Sequence, residues 1–119
     1  MFFDAKNFKV LEAGVQMSWT QQQLHLQNVA NIETPGYKAK SLRFSDTLKK
    51  AKSASDVPDT LHAEIVSDDS LSGRQDGNNV DLEKESVEYY KAYVQYNMLL
   101  NKINDKFQNY SVVLNSNMN

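Results

Sequence analysis

Residues 82–114 read LEKESVEYYKAYVQYNMLLNKINDKFQNYSVVL. Within this stretch Leu82, Ser86, Tyr89, Tyr93, Tyr96, Leu100, Ile103, Phe107, Tyr110 and Leu114 recur in alternating steps of four and three. Such steps average about 3.5 residues, the period of a helix lying along another helix. Only Ser86 interrupts the apolar seam. At about 1.5 Å per residue the helix would be roughly 50 Å long, more than a small domain wraps completely. The spacing therefore predicts a helix that needs partner helices. Asp81 is placed to cap its start, with Glu83 and Glu85 in a first turn where negative charge suits the helix dipole.

Working outward, about Asp4 to Asn31 forms a second amphipathic segment. Phe8, Leu11, Val15, Trp19, Leu26 and Val29 follow helical spacing, and Phe3, Val10, Met17 and Leu24 repeat every seven residues as a second stripe. Two stripes on one helix imply burial on more than one side. Thr34-Pro35-Gly36 ends this helix, because the residue before proline is pushed out of the α region and glycine permits a turn. The connector, residues 32–80, is expected to be irregular with little or no β-structure. Leu42 to Ala51 reads as a short helix and Leu61 to Val66 as one short strand. Charge is split along it: Lys38 to Lys52 holds six basic residues against Asp46 alone, and Asp56 to Glu88 holds ten acidic residues against Arg74 and Lys84.

The expected fold is thus mainly α, a single domain over residues 1–119. An N-terminal helix (4–31) and a C-terminal helix (81–115) pair as a coiled-coil-like hairpin across the connector. The 119 residues carry a net charge of −2, four glycines, two prolines and no cysteine. Disulfide and thiolate chemistry are excluded, and there is no general electrostatic reason to bind nucleic acid. The start, Met1-Phe2-Phe3-Asp4-Ala5-Lys6, lacks the basic-then-apolar order of a cleaved signal peptide. No apolar run approaches bilayer-spanning length.

Catalytic chemistry needs convergent polar groups, and the sequence offers no such constellation. His25 and His62 lack a second ligand at helical spacing, and His25 reads as a surface residue. Asp68-Asp69-Ser70-Leu71-Ser72-Gly73 follows the opening of a calcium loop, but its twelfth position is Asn79 rather than Glu and a plain loop is expected. The tyrosines of the long helix stand at seam spacing, where a ring packs and its hydroxyl finds a partner. No enzyme activity, cofactor, metal or small-molecule substrate is expected.

Two motifs narrow the reading. Ala30-Asn31-Ile32-Glu33-Thr34-Pro35-Gly36-Tyr37 resembles the Ala-Asn-x-x-Thr-Pro-Gly-Tyr signature of flagellar rod and hook proteins, and Ala30, Asn31, Thr34, Pro35, Gly36 and Tyr37 match it at every defined position. Asp76-Gly77-Asn78-Asn79-Val80-Asp81-Leu82-Glu83-Lys84-Glu85 resembles the motif that opens the C-terminal helix of proximal rod members. Asp76, Gly77, Asn78, Val80, Asp81, Leu82 and Glu85 carry that match. Ser86 departs from the methionine usual there. The short chain agrees, since distal rod and hook members carry an inserted domain between the helices.

The resemblance implies a structural subunit of the flagellar basal-body rod. Its partners would be other rod and basal-body proteins, further copies of itself, and the flagellar type III export gate. Phe8, Leu11, Val15, Trp19 and Leu26, with Tyr89, Tyr93, Tyr96, Leu100, Ile103, Phe107, Tyr110 and Leu114, would form the assembly seam. Phe44 and Leu48 would match the Phe-x-x-x-apolar segment read by the export gate. A closely related rod subtype and a soluble helical adaptor or secretion chaperone are the alternatives.

Overall fold

The computed structural model describes residues 5–44 and 63–117. Helix α1 spans Ala5–Ala30 and helix α2 spans Leu82–Asn117. Between them strands β1 (Lys40–Phe44) and β2 (Ala63–Ser67) form an antiparallel pair, with Leu42 opposite Ile65. The molecule is elongated, 70 × 26 × 15 Å.

The two helices pack side by side in opposite directions. Phe8 meets Phe107 edge-on with ring centroids 5.6 Å apart, and Trp19 meets Tyr96 at 6.2 Å. Small residues set their closest approach: Ser18 of α1 and Ala92 of α2 are buried between them. At Gly14 a methyl group would stand 3.1 Å from Leu99 Cδ1, so a larger residue there would press on the facing leucine. Asp81 caps α2, its Oδ1 accepting from the Glu83 and Lys84 amides at 3.0 and 3.3 Å.

The line of α2 that lies against α1 shares Tyr89, Tyr96 and Ile103 with the seam read in the sequence and takes Glu85, Ala92 and Leu99 for the rest. Glu85 and Ala92 are buried, and Tyr89, Tyr96, Leu99 and Ile103 are half-buried, in steps of four and three. Tyr93, Tyr110 and Leu114 are exposed beside that line, and Phe107 is exposed too while keeping its contact with Phe8. The period was legible, but its phase is set by close approach. A helix axis nears its neighbour over an alanine, not over the tyrosine beside it.

The connector also departs from expectation. Leu42 to Phe44 belong to a strand rather than a helix, and a two-stranded sheet replaces a connector with little or no β. Lys40 to Phe44 pairs because β2 supplies a partner edge, and the half-buried Leu42 lines a cleft together with Met17 and Thr20 of α1. The remainder of the expected short helix, with Leu48, lies outside the described residues.

Candidate assembly interface

The two sequence motifs, about forty residues apart, are halves of one hydrogen-bonded corner. Thr34 to Tyr37 forms a turn in which the Tyr37 amide donates to Thr34 O at 3.2 Å. Pro35 occupies the second position and Gly36 the third with φ +73°, the arrangement of a type II turn. The Gly36 amide donates to Asp76 O at 2.7 Å. Gly77, at φ +78°, lies so close that a methyl group on it would stand 3.8 Å from Gly36 Cα. Lys38 Nζ closes the contact, donating to Gly77 O at 2.7 Å.

Three asparagines hold this corner. Asn78 is fully buried, and its Nδ2 donates to the carbonyls of Asn31, Ile32 and Thr34 at 2.8, 3.0 and 2.9 Å. Its Oδ1 accepts from the Val80 amide at 2.8 Å. One side chain thus gathers three carbonyls of the turn that follows α1 and fixes the approach to α2. Asn79 joins the strand ends, accepting from the Ala39 amide at 2.7 Å and donating to Asp68 O at 2.8 Å. Asn28, also fully buried, pairs both backbone groups of Lys40. Its Oδ1 accepts from Lys40 N at 2.9 Å, and its Nδ2 donates to Lys40 O at 2.8 Å. Asn28 therefore acts as a strand edge supplied by a helix.

Asn28 also links to the long helix. Its Nδ2 donates to Glu85 Oε2 at 2.9 Å, and its Oδ1 accepts from the Tyr37 hydroxyl at 3.1 Å. His25 Nδ1 lies 2.6 Å from the same Glu85 oxygen. His25 is thus not the surface residue its sequence context suggests. It secures a buried carboxylate, and pairing plus hydrogen bonding is what makes such burial tolerable. Burial raises the Tyr37 hydroxyl above its ordinary pKa, and the neighbouring Glu85 charge adds to that. The Ser70 amide, donating to Asp68, holds that carboxyl below its usual range. Asn28, His25 and Ala92 were missed because a lone asparagine, histidine or alanine on a helix gives no periodic signal.

Above the corner the helix pair leaves much apolar surface open. Trp19 is 53%, Tyr93 46% and Phe107 54% exposed, and Leu26, Leu82, Tyr110 and Leu114 are exposed beside them. Leu11, Val15, Tyr89, Tyr96, Leu100 and Ile103 are half-buried. Val80 is buried at the corner, and Ala30, Thr34, Pro35, Asp76 and Asp81 stand at its surface. Phe44 ends β1. Contiguous exposed apolar side chains of this kind are characteristic of surfaces that contact other proteins. Among the described residues no group of acidic or histidine side chains is arranged to hold a metal ion, and no helix is long and apolar enough to cross a membrane.

The flagellar basal body rod protein FlgB of Bacillus subtilis (strain 168) is 32% identical to this chain over 115 residues, spanning 87% of the chain and 89% of that relative. The chain belongs to the FlgB family of flagellar basal body rod proteins. FlgB proteins of Escherichia coli (strain K12) and Shigella flexneri are each 24% identical over 115 residues, covering 81% of the chain and 83% of their own lengths. No family model matches the chain. Membership in the FlgB family makes the chain a flagellar rod structural protein, and gives the open apolar flank a setting among other basal-body rod proteins.

Proposed function

We propose that this chain is a subunit of the proximal rod that polymerises helically through its two terminal helices and is required for motility. The observation that carries the reading is that Trp19, Tyr93 and Phe107 stay about half exposed, although Trp19 and Phe107 already touch the facing helix. In this reading α1 and α2 form a coiled-coil-like hairpin within one rod-type domain of residues 1–119. Neighbouring copies and other rod proteins cover the flank, so the sequence-read seam is an intersubunit seam as much as an internal one. A free subunit with that flank in water is only partly ordered, and burial against partners offsets the ordering entropy on assembly.

The same looseness suits passage through the flagellar type III export gate, with Phe44 and Leu48 as the segment the gate reads. The related rod protein FlgC was the alternative for the sequence; the relatives found carry the FlgB name. A soluble adaptor would instead keep its apolar flank closed in a defined oligomer. The test is complementation. A motile bacterium lacking its own FlgB should regain swimming when it expresses this chain, and the chain should co-purify with its basal bodies. Secretion without incorporation, and no swimming, would refute the reading.

A further inference from the structure

The helix pair has two unlike sides. On one stands the ridge of Trp19 and Tyr93, both exposed. On the other, Gly14, Met17, Met98 and Leu99 line a groove of about 310 Å³ between α1 and α2, with Lys102 at its rim. Met17 is two positions from Trp19, and Met98 five from Tyr93. At about 100° per residue the methionines therefore point roughly 160° and 140° away from the aromatic side chains of their own helices. Ridge and groove thus face in opposite directions.

The groove has the character of an aromatic receptor. A cavity of about 150 Å³ lined by aliphatic side chains takes up benzene, so this groove has room for an indole or phenol ring. Gly14 keeps its floor low, and two methionines give walls that adjust to a planar ring. Charge favours one arrangement. Glu12 lies seven positions before Trp19 on the same strip of α1, about 10 Å along the axis. Lys102 lies beyond Met98 in the matching direction, because α2 runs opposite to α1. A ridge laid into the groove with the two α1 helices parallel brings Trp19 to Met17 and Met98, and Glu12 to Lys102. Glu12 and Lys102 have no ion-pair partner of their own among the described residues.

We infer that the groove between α1 and α2 receives the Trp19–Tyr93 ridge of a second copy of this chain, joining successive copies head to tail. The occupant is another copy because ridge and groove belong to the same molecule, both are apolar, and the parallel arrangement sets Glu12 against Lys102. A contact between two different faces leaves each copy with one free ridge and one free groove. It therefore propagates into a ring or an open helix rather than closing as a dimer. This rests on the rod-subunit reading and specifies which face meets which.

The test places the photoreactive p-benzoylphenylalanine at Tyr93 in the full chain, in cells that assemble rods, with a second tagged copy present. On irradiation the expected crosslink runs to Met17 or Met98 of another copy. A crosslink to Trp19 or the ridge of another copy, to a different protein only, or to no second copy in an incorporated variant would overturn the inference and leave rod membership standing. Failure of the unmodified chain to enter the rod would instead remove the reading on which the inference rests. A charge exchange gives an independent decision should the photoreactive variant not incorporate. Glu12→Lys should lower incorporation on the order of tenfold, and adding Lys102→Glu should restore most of it. A double variant no better than Glu12→Lys would overturn the pairing.

Discussion

Replacing Asn78 separates two roles that its position could play. If it only accepted from the Val80 amide, aspartate would serve as well, since both residues make that local turn. The hydrogen bonds assign it more, because its Nδ2 reaches three carbonyls at 2.8–3.0 Å. Each of those carbonyls keeps another partner. Asn31 O takes the Thr34 amide, Thr34 O takes the Tyr37 amide and Ile32 O takes Arg74 Nη2. Asn78→Ala therefore removes two N–H donors, at about 1 kcal/mol net each, and leaves the buried Val80 amide unpaired, at about 1–3 kcal/mol. The expected loss is about 3–5 kcal/mol, a large part of the stability of an ordinary small domain. Asn78→Asp keeps the Val80 contact but turns a carboxylate oxygen onto three carbonyl oxygens in a buried site. It should cost at least as much as alanine. Urea unfolding of the full chain, followed by the fluorescence of Trp19 in sucrose, measures the order. An aspartate variant close to wild type, with alanine clearly worse, would refute the claim that this amide ties the two motifs together.

Gly36→Val should cost about 1–3 kcal/mol and reduce rod incorporation, because a β-branched residue resists φ +73°; normal incorporation with unchanged stability would contradict this. The raised Tyr37 pKa gives a signed pH effect. The folded chain holds that proton more tightly than the unfolded one, so the contribution is complete below about pH 10 and is lost as pH rises through the folded value. Tyr37→Phe should flatten the alkaline part of the stability profile, read by urea midpoints between neutral pH and about pH 11. Tyr93→Asp should leave the helix content of the free chain at the wild-type level while abolishing incorporation. Ala92→Asp should unfold the chain as well, since an unpaired carboxylate between the helices costs several kcal/mol. Circular dichroism and incorporation, measured on both variants, separate the two faces.

The helices were legible because their periods, cap and stops are local. Asp81 caps where the acidic first turn begins, and Pro35-Gly36 turns the chain where helix propensity fails. The phase of the packing was legible in part. Tyr89, Tyr96 and Ile103 lie in the line against α1, but hydrophobicity also selects the exposed Tyr93, whereas close approach selects Ala92 and the space over Gly14. The sheet was half read, because β2 stands out as a bounded stretch while β1 owes its pairing to a partner about twenty residues away. The corner was visible only as two motifs. Nothing in either says that Asn78 reaches the end of α1, or that Asn28, from a helix interior, pairs with Lys40. His25 looked solitary because Glu85, its partner, is sixty residues further on.

The most direct test of the account is amide hydrogen exchange on the full chain, alone and in assembled rods. Exchange reports local opening free energies segment by segment. The account predicts that Asn31–Tyr37 and Asn78–Val80 are protected in both states. It also predicts that α2 from Tyr96 to Leu114, whose apolar flank is open in the single chain, exchanges quickly when free and slows strongly on assembly. Full protection of that half in the free chain, or no gain on assembly, would contradict a subunit whose helices are completed by its neighbours.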